Sequence, residues 1–375
     1  MDSSTPDWRT SLSNAKRYDT VQQIQRHLGS ANLSDAIAIE QAAFQVSSTE
    51  EQYLLACQPT RSSPSSIASD VEDAGEGEGV RIGTYTDCRP ISEGVTSQVY
   101  RSGNNALKVI IRENIEPHNP RREAQILKLV KRPCIPLLDV FRDREQQFVL
   151  VFPFLPFTLA DLLDKGPLPL ADTRSIFNDA LNALRDIHEK GIIHRDIKPS
   201  AILLQSPTGP AYLSDFGTAW HPELSQSSEP SDGKILDIGT GAYRAPETLF
   251  GNTSYGPPVD MWGIGVMLSE AIRDPPMPIF ESRPAHEDGS QLGLILSIFK
   301  TLGTPTPQTW PEAKTFKVTP FALWTVFPVR SWDVILPDVD PDMRILVASL
   351  LRYDGQRATA AQALSHRSLQ HGRLV

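Results

Sequence analysis

The stretch that decides the fold is residues 192–217, which read IIHRDIKPSAILLQSPTGPAYLSDFG. It contains two apolar, strand-like runs joined by the turn-forming sequence SPTGP at 206–210, and this pattern predicts a hairpin. Asp196 lies near the start of the stretch and Asp215 near its end, so the hairpin would bring both carboxylates to one mouth. Two acids placed in this way indicate a site for phosphate and metal.

The tripeptides HRD at 194–196 and DFG at 215–217 resemble the catalytic loop and the metal-binding loop of eukaryotic protein kinases. Either tripeptide alone would indicate only a salt-bridged loop, so the resemblance depends on their order and spacing. The resemblance covers about residues 82–371. It implies the bilobal α+β kinase fold, with a small β-rich N-lobe and a larger helical C-lobe.

Residues 91–100 lie where a kinase has its glycine-rich loop, although this loop is degenerate. Only the middle glycine, Gly94, is present, and Ser92 and Ser97 stand at the other positions. Glycines let backbone N–H groups approach phosphates without a Cβ in the way. We therefore expect this loop to hold phosphates less closely, or to be stiffer, than a loop with all its glycines.

A lysine in a predicted strand and a glutamate in a predicted helix resemble the kinase pair that positions ATP. Lys108 lies among apolar residues at 106–110 (ALKVI), and Glu123 lies in a helical pattern at 121–127. A carboxylate beside the ammonium group would hold it in place for the nucleotide. The apolar run at 148–155 predicts a buried strand that leads into the hinge, where kinases bind adenine through backbone groups.

Two helices are predicted to support the hairpin. Apolar residues at positions 176, 180, 184 and 187 indicate a helix that ends before Gly191 and positions Asp196. The run at 260–268 is apolar on nearly all sides, which indicates a buried central helix. Asp260, at its start, resembles the kinase acid that braces the backbone of the catalytic loop.

The C-terminal part of the chain resembles cyclin-dependent kinases in particular. The sequences TLGTP at 301–305 and RYDGQR at 352–357 carry this resemblance. It implies that Glu247, in the YRAPE motif at 243–247, pairs with Arg357.

The resemblance implies a role for each charged residue and implies ATP and Mg²⁺ as cofactors. Asp215 would bind Mg²⁺, and Lys108 would hold the α and β phosphates. Lys198 would neutralise the γ-phosphate and marks serine/threonine specificity, and Asp196 would accept the hydroxyl proton. The residues expected to bind ATP are Ile91, Ser92, Gly94, Val99, Ala106, Lys108, Glu123, Phe152, Pro153, Leu155 and Leu203. Those expected to form or support the activation segment are Arg195, Phe216, Gly217, Thr240, Glu247 and Arg357.

One departure from the kinase pattern concerns metal binding. Ala201 stands where kinases have an asparagine that supplies an oxygen to a second metal ion, and a methyl group cannot coordinate. Together with Ser92 and Ser97 in the degenerate loop, this leaves open a pseudokinase, a scaffold that binds partners, with or without ATP, and transfers little phosphate. We favour an active kinase because the other catalytic residues are present, and one Mg²⁺ on Asp215 could neutralise most of the phosphate charge.

A second departure concerns activation. Cyclin-dependent kinases carry an activating phosphothreonine held by three arginines, but here Ile235 stands at its position and Trp220 replaces the third arginine. Arg122 and Arg195 match the other two. We therefore expect no phosphate switch at position 235. The candidates for modification elsewhere in the segment are Ser225, Ser227, Ser228 and Ser231.

The sequence HNPRRE at 118–123 stands in place of the cyclin-contacting helix signature. Together with the degenerate loop and the missing threonine, it resembles the single-subunit fungal kinases that activate cyclin-dependent kinases. The expected function is that of a monomeric protein serine/threonine kinase in cell-cycle or transcription control. It would phosphorylate the activation-loop threonine of a cyclin-dependent kinase and would not require a cyclin.

The composition excludes several other classes. The chain has 375 residues, of which 40% are hydrophobic and 22% charged, which suits a soluble protein with two lobes and an extension. Its net charge of −9 argues against nucleic acid as a partner. The three cysteines lack ligand-like spacing, which argues against a zinc site and favours a reducing compartment. No apolar run approaches the roughly 20 residues of a membrane span, so we expect a location in the cytoplasm, the nucleus or both.

The chain divides into four predicted segments. Residues 1–57 predict a helical N-terminal extension, which packs on a lobe, packs on nothing or binds a partner. Residues 58–80 are rich in Ser, Pro, Gly and acidic residues and predict a flexible linker. Residues 81–154 are the predicted kinase N-lobe, and residues 155–375 are the predicted C-lobe.

Overall fold

The computed structural model describes residues 79–94, 96–113, 115–282, 291–322 and 325–370, together with a few positions between 20 and 57. The chain divides into two compact units, residues 1–75 and 76–375, and the fold below belongs to the second. Apart from those few positions, the predicted extension and the predicted linker up to residue 78 lie outside the described residues. The first strand begins at Val80, one residue before the predicted start of the N-lobe.

The N-lobe contains a six-stranded antiparallel sheet with the strand order β1-β2-β3-β4-β6-β5. Apolar side chains at alternate positions form its core, such as Leu107 and Val109 of β4 and Val149 and Val151 of β6. The strands are β1 Val80–Ile82, β2 Tyr85–Glu93, β3 Ser97–Ser102, β4 Asn105–Ile110, β5 Asp139–Arg142 and β6 Phe148–Pro153.

Helix α1 (Pro120–Leu129) connects β4 to the rest of the N-lobe, and its first turn is fixed by local chemistry. The Asn119 side chain accepts a hydrogen bond from the Arg122 N–H at 2.9 Å, and Pro120 suits the first position because it has no N–H to leave unsatisfied. The Asn119 N–H donates to the Gly217 carbonyl at 2.9 Å, which joins the start of α1 to the DFG sequence. Both Arg122 and Glu123, in the first turn of α1, are buried.

The C-lobe is mainly helical. Besides α1, the helices of the described kinase unit are α2 Leu159–Leu163, α3 Leu170–Glu189, α4 Pro246–Leu249, α5 Pro258–Ala271, α6 Leu292–Leu302, α7 Trp332–Ile335, α8 Pro341–Leu350, α9 Ala360–Leu364 and α10 Arg367–Gln370. Short 3₁₀ turns at 199–201, 216–218 and 241–243 shape the loops between them.

Two long helices support the loops that carry the charged motifs. Helix α3 buries Ile176, Ala180, Leu184 and Ile187, the apolar positions that predicted it. Gly191, with φ of +72°, follows the end of this helix. Glycine adopts this left-handed backbone conformation at little energetic cost because it has no Cβ. Helix α5 is buried on all sides, as its apolar sequence indicated.

The predicted hairpin is present. Strand β8 (Ile202–Leu204) pairs antiparallel with β9 (Ala211–Leu213), and β7 (Phe157–Thr158) pairs with the other edge of β8. The turn between β8 and β9 is closed by a hydrogen bond of 3.0 Å from the Gly209 N–H to the Ser206 carbonyl.

These elements confirm the bilobal α+β architecture. The N-lobe is a sheet with one helix, and the C-lobe is a set of helices with a small three-stranded sheet. In the part of the chain that the structure describes, no helix has both the length and the apolar character required to cross a membrane.

Candidate active site

Lys108, Glu123 and Asp215 form a cluster of charges between the two lobes, which we call the open cluster. The Lys108 ammonium nitrogen lies 2.9 and 3.1 Å from the carboxylate oxygens of Glu123, and 2.9 Å from Oδ1 of Asp215. The Glu123 side chain is 2% exposed, whereas that of Asp215 is 42% exposed. One side of the cluster is therefore sealed in the protein and the other side is accessible to a ligand.

The electrostatics of the open cluster keep Lys108 and Asp215 charged. Burial opposes the positive charge of Lys108, but attraction to Asp215 and Glu123 outweighs it and raises the pKa of the ammonium group. The Lys108 ammonium in turn lowers the pKa of Asp215, against the effect of burial. Burial raises the pKa of Glu123, and the contact with Lys108 opposes this rise.

Asp215 and Arg195 both adopt left-handed backbone conformations, with φ of +61° and +74°. Such angles are uncommon for residues with a Cβ, and strained residues concentrate at functional sites. The strain lies at the two charged tripeptides of the hairpin stretch, HRD and DFG.

Asp196, Lys198 and Thr240 form a second group of contacts in the same region. The Lys198 ammonium nitrogen lies 2.5 Å from Oδ2 of Asp196, and the Thr240 hydroxyl donates to Oδ1 of Asp196 at 2.7 Å. Lys198 also contacts the Thr240 hydroxyl at 3.3 Å. The carboxylate that is expected to accept a proton is thus held by a cation and by a hydroxyl group from the activation segment.

Asp260 fixes the backbone of the loop that carries Asp196. Its Oδ2 accepts the His194 N–H at 2.9 Å, and its Oδ1 accepts the Arg195 N–H at 2.8 Å. Its carboxylate also contacts Nε2 of His188 at 2.8 Å. Burial alone would raise the pKa of Asp260, but the interactions with His188 outweigh it and lower the pKa. The side chain therefore has the bracing position that the sequence predicted.

His194 is a core residue, as predicted. Its ring packs edge-on against Phe216 with centroids 4.9 Å apart, and its Nε2 lies 2.8 Å from the Ser214 carbonyl oxygen. These contacts join the HRD sequence to the DFG sequence. Gly217 follows Phe216 in a 3₁₀ turn, and a Cβ at Gly217 would lie 3.4 Å from the Lys108 ammonium nitrogen.

A second charge cluster, which sequence reasoning missed, is formed by Arg122, Arg195 and Glu229. The Arg195 guanidinium contacts both carboxylate oxygens of Glu229, at 2.6 and 3.0 Å, and Arg122 Nη1 lies 3.4 Å from the same carboxylate. All three side chains are at most 3% exposed. We call this group the closed cluster. Arg122 and Arg195 match two arginines that hold a phosphate in cyclin-dependent kinases, and this match was a signal that another anion could lie beside them.

The serines of the activation segment differ in accessibility. Ser225 was predicted as a candidate for modification, but it is fully buried and its hydroxyl oxygen accepts the His221 N–H at 3.0 Å. Ser227, Ser228 and Ser231 are exposed. The prediction for Ser225 is therefore wrong, because the chain turns at this position and uses the hydroxyl as an internal acceptor.

The residues predicted to bind ATP lie on the sheet, at the hinge and on the hairpin. Val99 on β3 pairs with Lys108 on β4, and Ala106 on β4 pairs with Phe152 on β6. Leu203 lies on β8 and is half-buried, as are Val99, Ala106 and Phe152. Their side chains are apolar and partly accessible, which is the kind of side chain that a flat ring packs against. Of the remaining predicted residues, Ile91 and Ser92 are exposed on β2, Gly94 follows β2, Pro153 ends β6, and Leu155 follows β6.

The site fits a Mg²⁺ ion that is bound mainly by water and phosphate. Mg²⁺ prefers oxygen ligands and needs only one or two protein carboxylates when substrate phosphates complete its shell. Asp215 meets this need because its carboxylate is ionised and 42% exposed. Ala201 is buried and offers no side-chain oxygen. Among the described residues, no three His, Cys, Asp or Glu side chains are grouped in a way that would hold a metal ion.

Glu247 and Arg357 pair as predicted but lie apart from the open cluster. Arg357 contacts both oxygens of Glu247, at 2.6 and 3.0 Å, and donates to the Pro258 carbonyl at 2.6 Å. Both side chains are nearly buried. The pair joins α4 and the start of α5 to the segment before α9, so its place is structural.

Geometry and sequence comparison agree on the class of protein. The chain belongs to the protein kinase domain family, whose model matches residues 85–369.

Among individual proteins, the chain is 37% identical to the serine/threonine-protein kinase csk1 of Schizosaccharomyces pombe over 287 residues, which cover 72% of this chain and 90% of csk1. It is 31% identical to the serine/threonine-protein kinase CAK1 of Saccharomyces cerevisiae over 278 residues, which cover 60% of this chain and 76% of CAK1. It is 32% identical to the probable serine/threonine-protein kinase glkA of Dictyostelium discoideum over 267 residues, which cover 70% of this chain and 50% of glkA.

These similarities confirm that the chain is a serine/threonine-protein kinase similar to csk1 and CAK1. They give no support to the pseudokinase alternative. Protein kinases in general use ATP and Mg²⁺, in keeping with the chemistry of the open cluster.

Proposed function

We propose that this kinase phosphorylates the activation-loop threonine of cyclin-dependent kinases, and that it acts as a single chain without a cyclin. The relationship to the fungal kinases csk1 and CAK1 supports this choice of substrate. A location in the cytoplasm, the nucleus or both, where such a substrate would be met, is part of the proposal.

The observation that carries the single-chain proposal is the position of Glu123. Contacts within the chain bring α1 to the open cluster, through Lys108 and through the Asn119 N–H, which donates to Gly217 at 2.9 Å. The Arg122 side chain adds a contact to Glu229 from the same turn of α1. Because these contacts already place Glu123 beside Lys108, no partner subunit is required to push the helix into position.

In the proposed reaction, the residues of the site hold two substrates in line. Lys108 would bind phosphate oxygens of ATP, and Asp215 would hold a Mg²⁺ ion, which would neutralise charge on the phosphates. The threonine hydroxyl of the substrate forms a bond to the γ-phosphorus while the bond to the ADP oxygen breaks. Asp196 accepts the hydroxyl proton, and Lys198 stabilises the negative charge on the transferred group.

The carboxylate of Asp196 can receive the substrate while its present contacts persist. Its two oxygens are bonded to Thr240 and Lys198, and each carboxylate oxygen has a second lone pair for the acceptor hydroxyl. Thr240 therefore sets the orientation of the carboxylate next to the place where the substrate hydroxyl must lie.

The proposal is tested with purified full-length chain, Mg-ATP and an unphosphorylated cyclin-dependent kinase that lacks its cyclin. We expect phosphate on the activation-loop threonine of that kinase, identified by mass spectrometry, and no label when this threonine is replaced by alanine. The variant Asp196→Asn should abolish the label. Equal labelling by both chains, or labelling confined to other residues of the substrate, would contradict the proposal.

A further inference from the structure

The closed cluster joins two arginines that come from separate parts of the kinase unit. Arg122 lies in the first turn of α1, next to Glu123 of the open cluster, and Arg195 lies in the HRD sequence next to Asp196. Their side chains are 3% and 0% exposed. Two guanidinium groups taken out of water require an anion beside them, because a buried charge without a partner is strongly unfavourable.

Glu229 supplies that anion with its side chain. Arg195 binds its carboxylate in a two-pronged contact of 2.6 and 3.0 Å, and Arg122 approaches to 3.4 Å. Planar guanidinium groups suit such contacts, which are among the stronger hydrogen bonds in proteins. Burial opposes the negative charge of Glu229, but its interactions with Arg195 outweigh this and lower the pKa of the carboxyl group.

Glu229 also fixes the chain that leads to the substrate side of the site. Its Oε2 accepts the Ile235 N–H at 3.0 Å, and its backbone carbonyl accepts the Trp220 indole N–H at 2.9 Å. Tyr255 completes this link, since its hydroxyl donates to the Ile235 carbonyl at 2.7 Å and accepts from Arg195 at 3.1 Å. Ile235 precedes Thr240, the partner of Asp196, by five residues.

The charges of the closed cluster match a carboxylate better than a phosphate. A phosphate carries about two negative charges and three oxygens, whereas a carboxylate carries one charge and two oxygens. Here two arginines face one carboxylate, and Trp220, which replaces a third arginine, binds the Glu229 carbonyl instead. The cation near Trp220 is the buried Lys234 ammonium, which lies 4.6 Å from the centroid of the Trp220 ring and donates to the Ser231 carbonyl, whereas the direct side-chain contacts to the Glu229 carboxylate come from the two arginines.

We propose that Glu229 is a positioning residue for phosphoryl transfer, a permanent carboxylate that takes the place of an attached phosphate. By holding α1, the HRD loop and the chain before Thr240 together, it keeps Glu123 and Asp196 in their working positions. Residues 219–240 then need no phosphorylation for activity. The inference rests on kinase activity and does not depend on which protein is the substrate.

The test measures steady-state transfer to a general protein acceptor, such as myelin basic protein, and expresses rates per folded molecule. Glu229→Gln keeps the shape of the side chain and removes its charge, and we expect kcat to fall by about tenfold or more. Glu229→Asp restores the charge and should recover most of this loss. The control is Glu113→Gln, which removes the carboxylate of an ion pair with Arg142 on the N-lobe surface and should change kcat by less than about twofold.

A second measurement uses the unmodified chain. After treatment with a phosphatase, and with residues 219–240 shown by mass spectrometry to carry no phosphate, the kinase should retain its kcat. The inference would be overturned if phosphatase treatment removed a phosphate from residues 219–240 and kcat fell as that phosphate was removed. So would Glu229→Gln with the same rate per folded molecule as the unmodified chain.

The kinetics of the Glu229 variants and the phosphatase experiment together keep the inference testable if one variant does not fold. Should Glu229→Gln remain unfolded, Glu229→Asp and the phosphatase experiment still decide, since the inference requires that Glu229→Asp keep most of the kcat of the unmodified chain and that phosphatase treatment leave kcat unchanged. Activity on the general acceptor with no labelling of a cyclin-dependent kinase would contradict the proposed substrate and leave the role of Glu229 intact.

Discussion

The open and closed clusters both hold charged side chains in the protein interior, but they do so in different ways. Each cluster includes one of two neighbouring residues of helix α1. Glu123 of α1 leads to Lys108 and Asp215, and Arg122 leads to Glu229 and Arg195. In the open cluster one carboxylate is 42% exposed, whereas every side chain of the closed cluster is at most 3% exposed.

This difference separates a group that exchanges partners from one that does not. Lys108 can leave the accessible Asp215 for a phosphate because the ligand arrives from the exposed side. Arg195 has no such route, since its partner is enclosed on all sides and replacing it would leave a buried charge unpaired. Burial of a complete ion pair thus indicates a structural role, whereas the partly exposed carboxylate of the open cluster leaves room for a ligand.

The largest effect is expected from a third ion pair that is buried and complete, Glu247 with Arg357. Arg357→Ala should lower the free energy of unfolding by about 3–5 kcal/mol, because it leaves the Glu247 carboxylate without its partner in the protein interior. Urea unfolding measures this change. The matched control is Arg352→Ala, which breaks a partly exposed pair with Asp354 and should cost less than about 1 kcal/mol. Equal losses of unfolding free energy in the two variants would contradict the conclusion that burial determines how much an ion pair stabilises the fold.

A loss of rate without a loss of stability is expected in the open cluster. Asp215→Asn should reduce kcat/KM by about 10²–10³-fold, because the group that holds Mg²⁺ loses its charge. Its melting temperature should change by only about 2 °C or less, since the carboxylate is partly exposed. Asp87→Asn, an exposed aspartate on β2, is the control for activity. A large fall in melting temperature for Asp215→Asn would place Asp215 among the structural pairs.

A smaller gain is expected from restoring an oxygen next to the open cluster. Ala201→Asn should raise kcat by up to about tenfold at low Mg²⁺ concentration, because an amide oxygen could bind a second metal ion. Ala201→Val, which adds volume without an oxygen, should give no gain. An unchanged or lower rate for Ala201→Asn together with an unchanged melting temperature would show that one metal ion is sufficient here.

The smallest effect concerns pH. Because Lys108 lowers the pKa of Asp215, the ion pair stabilises the fold at every pH above the ordinary aspartate value of about 3.9. This contribution is lost as the pH falls from there through the lowered pKa. The difference in unfolding free energy between the unmodified chain and Asp215→Asn should therefore be constant from pH 6 to 8 and shrink below about pH 4. Urea unfolding across this range tests it, and a difference that grows in acid would contradict the assignment.

Motifs with a fixed spacing allowed much of the fold and site to be predicted from sequence. The pairing of Lys108 with Glu123, that of Glu247 with Arg357, and the bracing contacts of Asp260 all follow from short patterns. The helices α3 and α5 follow from apolar periodicity, because their buried positions depend mainly on their own sequence.

The position of Glu229 could not be predicted in this way. It lies in an irregular segment without periodicity, 34 positions from Arg195 and 107 from Arg122 along the chain. Several acids in that segment, such as Glu223 and Asp232, had the same chemistry, and only the folded path of the chain selects one. The buried state of Ser225 was missed for the same reason.

The adjacency of Arg122 and Glu123 has a consequence for how the kinase can change state. Neighbouring residues of an α-helix point about 100° apart, so one rigid body carries a contact in each of two directions. A roll of α1 that withdrew Glu123 from the lysine would also pull the arginine away from its carboxylate. The two contacts must then be lost or regained together. We expect the change to be two-state, with conformations that keep only one of the two contacts sparsely populated.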